Sequence, residues 1–291
     1  MNRNITIGSR ASVLALRQTE IIRSAITEHF PDISVEVKTF TTTGDRILDR
    51  TLDQVGGKGL FVKELDRALA EGEIDIAVHS LKDMPMEQPD GFPIRAFFRR
   101  GDCRYALVLA AGAEMHGQMH IGSSSARRQI QLRALFPQAH MESVRGNLQR
   151  RLEKLDHGEF DALVLAAAGL ERLGLSGRIC RYFSPEELLP AAGQGVIAVQ
   201  GGADLDSALF AAINDPQTEL SARAERAFVR ALDGGCSSPV AAYAEIAGNA
   251  CRVRGRLPDA DGVLRTFEKT GMISDAERIG EMLAKEARQY V

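Results

Sequence analysis

A short polar segment carries several groups that could do chemistry together. It places an imidazole, a hydroxyl, an ammonium and a carboxylate at His79, Ser80, Lys82 and Asp83, directly after an apolar run that predicts a strand. Ligands of open α/β sheets bind beyond the carboxyl ends of the strands, so Ser80, Lys82 and Asp83 are predicted to face a crevice. A solvated turn that satisfies only its own backbone is the alternative. His79 is predicted to be a structural histidine rather than a base.

Arginine residues form a second group, and they are predicted to cluster at turns. Guanidinium groups bind carboxylates or phosphates through forked hydrogen bonds, and two of the turns precede predicted helices, whose N-terminal N–H groups also attract anions. Surface salt bridges are the alternative. The cluster therefore predicts an anion-binding site, formed by Arg10, Arg127, Arg128, Arg145, Arg151 and Arg172.

The glycine-rich stretch from Thr41 to Gly59 is predicted to be a mobile lid over the site. Lys58 and Phe61 could touch a ligand there, although the glycine spacing and the residue after Lys58 exclude a P-loop. Cys236 lies in another glycine-rich loop, where its thiol could be reactive or idle. The remaining cysteines lack CxxC spacing, so neither a zinc site nor a disulfide framework is indicated.

The elements around these groups repeat along the chain. A strand at 5–8 and a helix at 13–30 are followed later by a strand at 120–123 and a helix ending at Phe136. Gly8, Phe30 and Gly72 have counterparts 114, 106 and 86 residues later, each at the same kind of boundary. The repeat predicts two similar α/β domains, with a ligand cleft between them.

The rest of the chain predicts a return to the first domain and then a third, smaller domain. Residues 188–195 form a turn before a strand at 196–199, and a helix is predicted at about 204–214. A long helix at 218–232 has Thr218 as its expected cap and Glu219, Arg223 and Glu225 on polar faces. Strands at 240–246, 251–257 and 263–269 precede a final helix from Ser274.

Composition limits the partners. The chain has 291 residues with 26% charged residues and a formal net charge of -3, which predicts two or three domains and argues against non-specific nucleic-acid binding. No apolar run approaches the roughly 20 residues that span a bilayer, and the start lacks the apolar core of a signal peptide. These features predict a cytoplasmic protein.

Taken together and in order, seven motifs resemble the porphobilinogen deaminase family. The resemblance runs from Ile5 to the last helix. It implies two similar domains of the type II periplasmic-binding-protein fold, at 1–98 with 195–215 and at 102–191, plus a small C-terminal α+β domain at 217–291. The motifs are Ile7-Gly-Ser-Arg-Ala-Ser12, Gly56-Gly-Lys-Gly-Leu-Phe61, His79-Ser-Leu-Lys-Asp-Met-Pro85, Ile121-Gly-Ser-Ser-Ser-Ala-Arg-Arg128, Arg145-Gly-Asn147, Leu189-Pro-Ala-Ala-Gly-Gln-Gly195 and Gly234-Gly-Cys236.

The resemblance also implies a role for each matching residue. Asp83 would be the catalytic carboxylate, and Cys236 would carry a dipyrromethane cofactor through a thioether, with no metal required. The remaining cofactor contacts would be Ser80, Lys82, Ser125, Arg127, Arg128 and Arg145. The substrate contacts would be Arg10, Ser12, Lys58, Phe61, Arg151, Arg172 and Gln194.

The implied activity is a transferase reaction of tetrapyrrole (haem) biosynthesis. Porphobilinogen units would be joined head to tail onto the cofactor with loss of ammonia, and hydrolysis would release hydroxymethylbilane, also called preuroporphyrinogen. The resemblance favours a monomer. Two alternatives stay open. The first is a non-catalytic anion-binding protein with the same cleft, which would need Arg127 and Arg128 but not Asp83 or Cys236. The second is a thiol enzyme using Cys236 with His79 as base.

Overall fold

The computed structural model describes residues 3–46, 59–88, 91–235 and 238–290. Lys58, Cys236 and most of the predicted lid lie outside these ranges. The described start of that lid is helical at Thr43–Arg46, and the Thr43 hydroxyl donates a hydrogen bond of 2.7 Å to the Glu64 carboxylate. Within the described ranges, every helix is too short or too polar to cross a membrane.

Three β-sheets organise the chain, and helices connect and cover them. The strands are β1 (Arg3–Arg10), β2 (Ile33–Phe40), β3 (Ile76–Ser80), β4 (Ile94–Phe98), β5 (Tyr105–Leu109), β6 (His120–Gly122), β7 (His140–Glu142), β8 (Ala162–Ala166), β9 (Arg181–Phe183), β10 (Ile197–Gly201), β11 (Ala241–Ala247), β12 (Ala250–Pro258) and β13 (Leu264–Met272). The α-helices are α1 (Val13–His29), α2 (Thr43–Arg46), α3 (Lys63–Ala70), α4 (Ala126–Leu135), α5 (Leu148–Asp156), α6 (Ala167–Arg172), α7 (Ser207–Ile213), α8 (Pro216–Ala231) and α9 (Ala276–Ala287). A 3₁₀ turn at Leu81–Asp83 follows β3 directly.

The first two sheets have the same architecture. The first has the order β2-β1-β3-β10-β4 and the second the order β7-β6-β8-β5-β9. In each, one strand runs antiparallel to its neighbours: β10 in the first sheet and β5 in the second. The chain crosses from the first sheet to the second after β4 and returns before β10. The sheets form two similar α/β domains, as the sequence repeat predicted.

The internal repeat is visible in matching hydrogen bonds. The backbone N–H of Thr6 in β1 donates to the Asp75 carboxylate at 2.7 Å, and that of His120 in β6 donates to Asp161 at the same distance. Gly72 and Gly158 precede these aspartates by three residues, and both have a positive φ, at 67° and 77°. A side chain would be strained in that conformation. The sequence repeat therefore marks positions with equivalent local geometry.

The third sheet, β11-β12-β13, is antiparallel and packs against α8 and α9. Its buried core includes Phe228, Val253, Ile279 and Leu283, and Gly255 lies so close to the Phe228 ring that a Cβ there would approach it to 2.1 Å. This sheet and its two helices form the small C-terminal α+β domain.

Two predictions about α8 were wrong. The helix begins at Pro216, and the Asp215 side chain caps it by accepting the Thr218 N–H at 2.7 Å, so Thr218 is inside the helix and not its cap. Asp215 before a proline at the first helical position is a standard helix start. Glu225 was expected on a polar face, but it is fully buried because it faces the junction between the domains.

Candidate functional site

A cavity of about 420 Å³ lies between the first and second sheets. It is lined by the ends of strands from both sheets and by the first turns of the helices that follow them. Thirteen residues that the sequence singled out line it, namely Arg10, Ser12, Phe61, Ser80, Lys82, Asp83, Ser125, Arg127, Arg128, Arg145, Arg151, Arg172 and Gln194. We call this cavity the cleft.

The described lining of the cleft is strongly basic. It contains eight arginine or lysine residues and one acidic residue, Asp83. The whole chain nevertheless has a net charge of -3, so the positive charge is concentrated locally. Low-dielectric walls lined by one sign of charge focus the electrostatic field and raise the local concentration of the opposite ion. The cleft is therefore suited to a ligand that carries several negative charges.

The end of β3 supplies the lone carboxylate. Ser80 closes the strand and exchanges hydrogen bonds with the Gln18 side chain of α1, whose Nε2 donates to the Ser80 Oγ at 2.9 Å. The following 3₁₀ turn directs Lys82 and Asp83 into the cleft. Leu81 of the same turn is fully buried beneath Gly193. An apolar anchor thus holds the turn that presents the two charged groups.

His79 is structural, as the sequence predicted. The ring is buried, and its Nε2 lies 2.9 Å from Oε1 of Gln200 in the neighbouring strand β10. Burial lowers the pKa of His79 to about 4, so the ring is neutral near pH 7. A buried neutral imidazole with a fixed partner argues against the thiol-enzyme reading that used it as a base.

The end of β1 supplies a cation held over an aromatic ring. The Arg10 guanidinium carbon lies 4.3 Å from the centroid of the Phe61 ring. Ser12 caps α1 by accepting the Ala15 N–H at 3.3 Å. Phe61 in turn packs on Gly44, where a Cβ would come within 2.3 Å of the ring. Phe61 therefore contacts both the start of α2 and the Arg10 side chain in the cleft.

The start of α4 supplies two buried arginines, one of which has an unused donor. Arg127 donates through Nε to the Val240 carbonyl of the third domain at 2.8 Å. Arg128 donates to the Val164 carbonyl, and its guanidinium carbon lies 5.2 Å from the Tyr105 ring centroid. The Arg128 Nε is buried without a hydrogen-bond partner among the described residues. Such a group costs about 1–3 kcal/mol, and an anion in the cleft would supply its acceptor.

The start of α5 contributes residues to which sequence reasoning gave no role. Arg145 and Arg151 were predicted, but Asn147, which belonged to a quoted motif, and Arg150 also line the cleft. Asn147 caps α5 by accepting the Arg150 N–H at 3.0 Å, so a third helix N-terminus, after those of α1 and α4, faces the cleft. The available signal was Asn147 itself, since Asn is a preferred residue at the start of a helix.

The segment that returns from the second sheet closes the cleft. Arg172 donates to the Gly195 carbonyl at 2.5 Å, and the Gly195 carbonyl also accepts the N–H of Gly101 from the other crossing at 3.0 Å. A Cβ at Gly195 would lie 2.6 Å from the Gly101 carbonyl oxygen, and its φ is +85°. Gly195 is needed because the two crossings touch at this point. Gln194, beside it, is buried and donates to the Cys103 carbonyl at 2.5 Å.

Burial and mutual repulsion make the positive charges in the cleft unfavourable, so a bound anion would stabilise them. Burial lowers the pKa of Lys82 to about 8; the Asp83 charge opposes this shift and the charges of Arg128, Arg127 and Arg151 add to it. Burial likewise lowers the pKa of Arg151 to about 10. Each shift reports an unfavourable charge that a bound carboxylate would relieve.

The arginines differ from the prediction in one respect. They were expected at turns rather than on helices, yet Arg127 and Arg128 lie in the first turn of α4, Arg151 lies in α5 and Arg172 ends α6. Arg10 ends a strand. The difference arises because helix ends replace the expected loops. Their convergence on one cleft was predicted correctly.

A second, smaller cavity lies where residues of the cleft meet the third domain. It is lined by Lys82 and Arg127, which also line the cleft, and by Gly235 and Val240 of the third domain. Gly235 directly precedes Cys236 in the sequence. The described residue next to the cysteine therefore shares a cavity with two of the predicted cofactor contacts.

Comparisons with known proteins agree with this site. The model described as porphobilinogen deaminase, dipyromethane cofactor binding domain, matches residues 5–209. A second model, porphobilinogen deaminase, C-terminal domain, matches residues 220–289. The chain belongs to the porphobilinogen deaminase family. The first match includes the whole lining of the cleft, and the second includes the third sheet.

Individual relatives match over nearly the whole chain. The porphobilinogen deaminase of Acetivibrio thermocellus is 50% identical over 283 residues, which cover 97% of each chain. That of Ruminiclostridium cellulolyticum is 54% identical over 244 residues, covering 84% of this chain and 83% of the relative. Among solved structures, the methionine-binding protein MetQ is similar with a TM-score of 0.46 at 10% identity, covering 74% of this chain and 92% of that chain. The family rests on the sequence matches.

Proposed function

We propose that this chain joins porphobilinogen units head to tail, with release of ammonia, to form hydroxymethylbilane in tetrapyrrole (haem) biosynthesis. The family name, porphobilinogen deaminase, agrees with this substrate and with the release of ammonia. The observation that carries the proposal is the cleft, in which one carboxylate, Asp83, faces eight basic residues among the described lining. Porphobilinogen has two carboxylates, so a growing chain of pyrroles is densely anionic and needs such a surface.

The described residues fit a dipyrromethane cofactor. Its acetate and propionate groups require several cationic partners, which the cleft supplies. The buried Arg128 Nε has no hydrogen-bond acceptor among the described residues. Lys82, Ser125, Arg127, Arg128, Arg145 and Ser80 are the proposed cofactor contacts. The thioether to Cys236 is part of the same proposal, supported by the position of Gly235 beside Lys82 and Arg127. When bound, the dipyrromethane supplies the free α-carbon to which the first substrate unit is joined.

The substrate contacts are proposed to surround this position on three sides. Arg10, Ser12 and Phe61 approach from the first domain, Arg151 and Arg172 from the second, and Gln194 from the returning segment. Lys58 belongs to the proposal on the resemblance alone. Forked guanidinium contacts to carboxylates fix the orientation of each pyrrole ring, which places the reacting atoms next to Asp83.

Asp83 is the proposed catalytic residue. Its carboxylate is near enough to Lys82, Arg128 and Arg151 to raise the pKa of each against the effect of burial. An ionised carboxylate in a buried cleft stabilises positive charge that develops on a pyrrole nitrogen, and it can accept and return a proton there.

The domain limits and the setting are also proposed. Three domains at 1–98 with 195–215, 102–191 and 217–291 are supported by the membership of the three sheets. Movement of the domains and of the segment between Thr43 and Gly59 would make room for elongation. We propose a cytoplasmic monomer that acts on a small molecule, without nucleic acid or membrane, which is consistent with a net charge of -3.

A non-catalytic anion-binding protein is the weaker alternative. Such a protein would need the basic lining but would gain nothing from a carboxylate at its centre, because a negative charge there opposes anion binding. The family matches also disfavour it.

The cofactor can be tested by intact mass and peptide mapping of the purified protein. We expect an added mass equal to dipyrromethane on the peptide that contains Cys236. The addition should be absent from Cys236→Ser and retained in Cys180→Ser, which removes an exposed cysteine elsewhere. An unmodified Cys236 that stays unmodified after incubation with porphobilinogen or preuroporphyrinogen would contradict the proposal.

Loading of the cofactor should weaken as the pH rises through about 8. Burial lowers the pKa of Lys82, a proposed cofactor contact, to about 8, so in the cofactor-free protein its ammonium loses its charge above that pH and no longer binds a carboxylate. The limiting slope is about tenfold in affinity per pH unit for one such proton. We expect the preuroporphyrinogen concentration that half-loads the cofactor-free protein to rise accordingly, and the rise near pH 8 to disappear in Lys82→Arg, because guanidinium stays charged. The same pH dependence of loading in both proteins would exclude Lys82 as the titrating contact.

A further inference from the structure

A cluster of metal-ligating side chains lies outside the cleft, at the β6–β7 edge of the second sheet. His120 of β6 is paired in register with His140 of β7, and Glu142 follows two residues later. Because alternate residues of a strand point to the same face and paired residues share a face, all three side chains lie on one side of the sheet. His140 and Glu142 are exposed and His120 is half-buried.

The three ligand atoms already converge. One atom from each of His120, His140 and Glu142 lies within 4.8 Å of the others, and the His120 Nε2 is 2.9 Å from a Glu142 carboxylate oxygen. The His120 ring contacts the rings of His140 and Phe160, with centroids 4.7 Å away in both cases. Neighbouring ligands of a tetrahedral ion at about 2.1 Å are about 3.4 Å apart. Small side-chain rotations therefore suffice to form a site.

We propose that His120, His140 and Glu142 bind Zn²⁺ on the surface of the second domain. Two imidazoles and one carboxylate are a ligand set that zinc uses where three protein groups leave one position for water. Imidazole also favours zinc over magnesium or calcium, which prefer oxygen ligands alone. The spacing of residues along the chain did not indicate this site, because its ligands come from two strands that only the sheet brings together.

The position of this zinc site links it to the anion-binding end of the second sheet. Immediately after the ligands, the N–H of Ser123 donates to the Glu142 carbonyl at 2.8 Å. The chain then continues from β6 to Ser125 and from β7 to Arg145, which both line the cleft. An ion shared by the two strands would brace the start of both segments. Bound Zn²⁺ should consequently raise the thermal unfolding temperature, because it binds the folded chain selectively.

Cobalt titration of the purified, metal-free protein tests the site directly, with Zn²⁺ then added as the competitor. We expect one equivalent of Co²⁺ with visible d–d absorption, displaced by Zn²⁺. His140→Ala and Glu142→Gln should each weaken binding at least about tenfold, since even outer-shell changes cost that much. His157→Ala, which removes another exposed histidine of the second domain, should bind like the parent protein.

Three results would overturn the proposal. The first is equal affinity in the parent protein and both ligand variants. The second is strong near-ultraviolet thiolate-to-cobalt absorption, which would show binding by a cysteine. The third is no binding at about 100 µM metal, where a site would be weaker than about 5.5 kcal/mol. The readout does not involve turnover, so its failure would leave the proposed reaction untouched.

Discussion

Asp83→Asn is expected to lower kcat at least about a hundredfold while the fold remains intact. The substitution keeps the size of the side chain but removes the only acidic group in the described lining of the cleft. Positive charge on a pyrrole nitrogen would then face Lys82, Arg128 and Arg151 without compensation, and no carboxylate would remain to move its proton. Steady-state production of hydroxymethylbilane, with circular dichroism to confirm folding, measures the effect.

Asp32→Asn is the matched control, because Asp32 is exposed in the turn before β2. Its turnover should stay within about twofold of the parent protein, as for most surface substitutions. A second readout separates electrostatics from damage. Since the Asp83 charge raises the pKa of Lys82 against the effect of burial, the pH at which cofactor loading of the cofactor-free protein weakens should be lower in Asp83→Asn. Near-normal turnover would refute the assigned role.

Glu225→Gln should lower the free energy of unfolding by about 3–5 kcal/mol, the usual cost of breaking a buried ion pair. The Glu225 carboxylate is fully buried and accepts hydrogen bonds from both terminal nitrogens of Arg100, at 2.7 and 2.9 Å. It also accepts the backbone N–H of Gly193 at 2.7 Å and that of Ala244 at 2.9 Å. The NH₂ of a glutamine amide would face N–H groups that also donate, and the Arg100 charge would lose its counter-charge. Urea unfolding measures the loss.

Two further variants distinguish this cause from general damage to α8. Glu219→Gln weakens a partly exposed pair with Arg223 on the same helix and keeps an oxygen that can accept the hydrogen bond from Asn214, so it should cost less than about 1 kcal/mol. The double variant Arg100→Gln with Glu225→Gln should be more stable than Glu225→Gln alone, because the uncompensated charge is gone. Equal losses in Glu225→Gln and Glu219→Gln would contradict a junction role for Glu225.

The sequence was sufficient for the fold and for the lining of the cleft where motifs are local. Gly72 and Gly158 mark equivalent turns because only glycine tolerates their positive φ, and the repeat they belong to predicted two similar domains. Ser80, Lys82 and Asp83 follow a buried strand, and the rule for carboxyl ends of strands placed them correctly. Such signals work because backbone geometry is decided within a few residues.

Features that depend on contacts between domains were missed. The polar pattern of α8 indicates a solvated face, but Glu225 meets Arg100 from the first crossing and is buried. Asn147 was passed over because capping by an Asn is common and says nothing about which cavity the helix faces. The cluster of His120, His140 and Glu142 likewise requires the pairing of β6 with β7. Positions distant in sequence become neighbours only through register and domain packing.

The position of β10 has a consequence for synthesis on the ribosome. Strand β10 lies between β3 and β4 in the first sheet, yet it is made after residues 99–196, which contain every strand of the second sheet. At translation rates of about 5–20 residues per second, β4 waits about 5–20 s for its neighbour. The second domain can therefore fold first, although it starts later. During that interval one edge of β3 and both edges of β4 are unpaired, so these strands are open to wrong pairing.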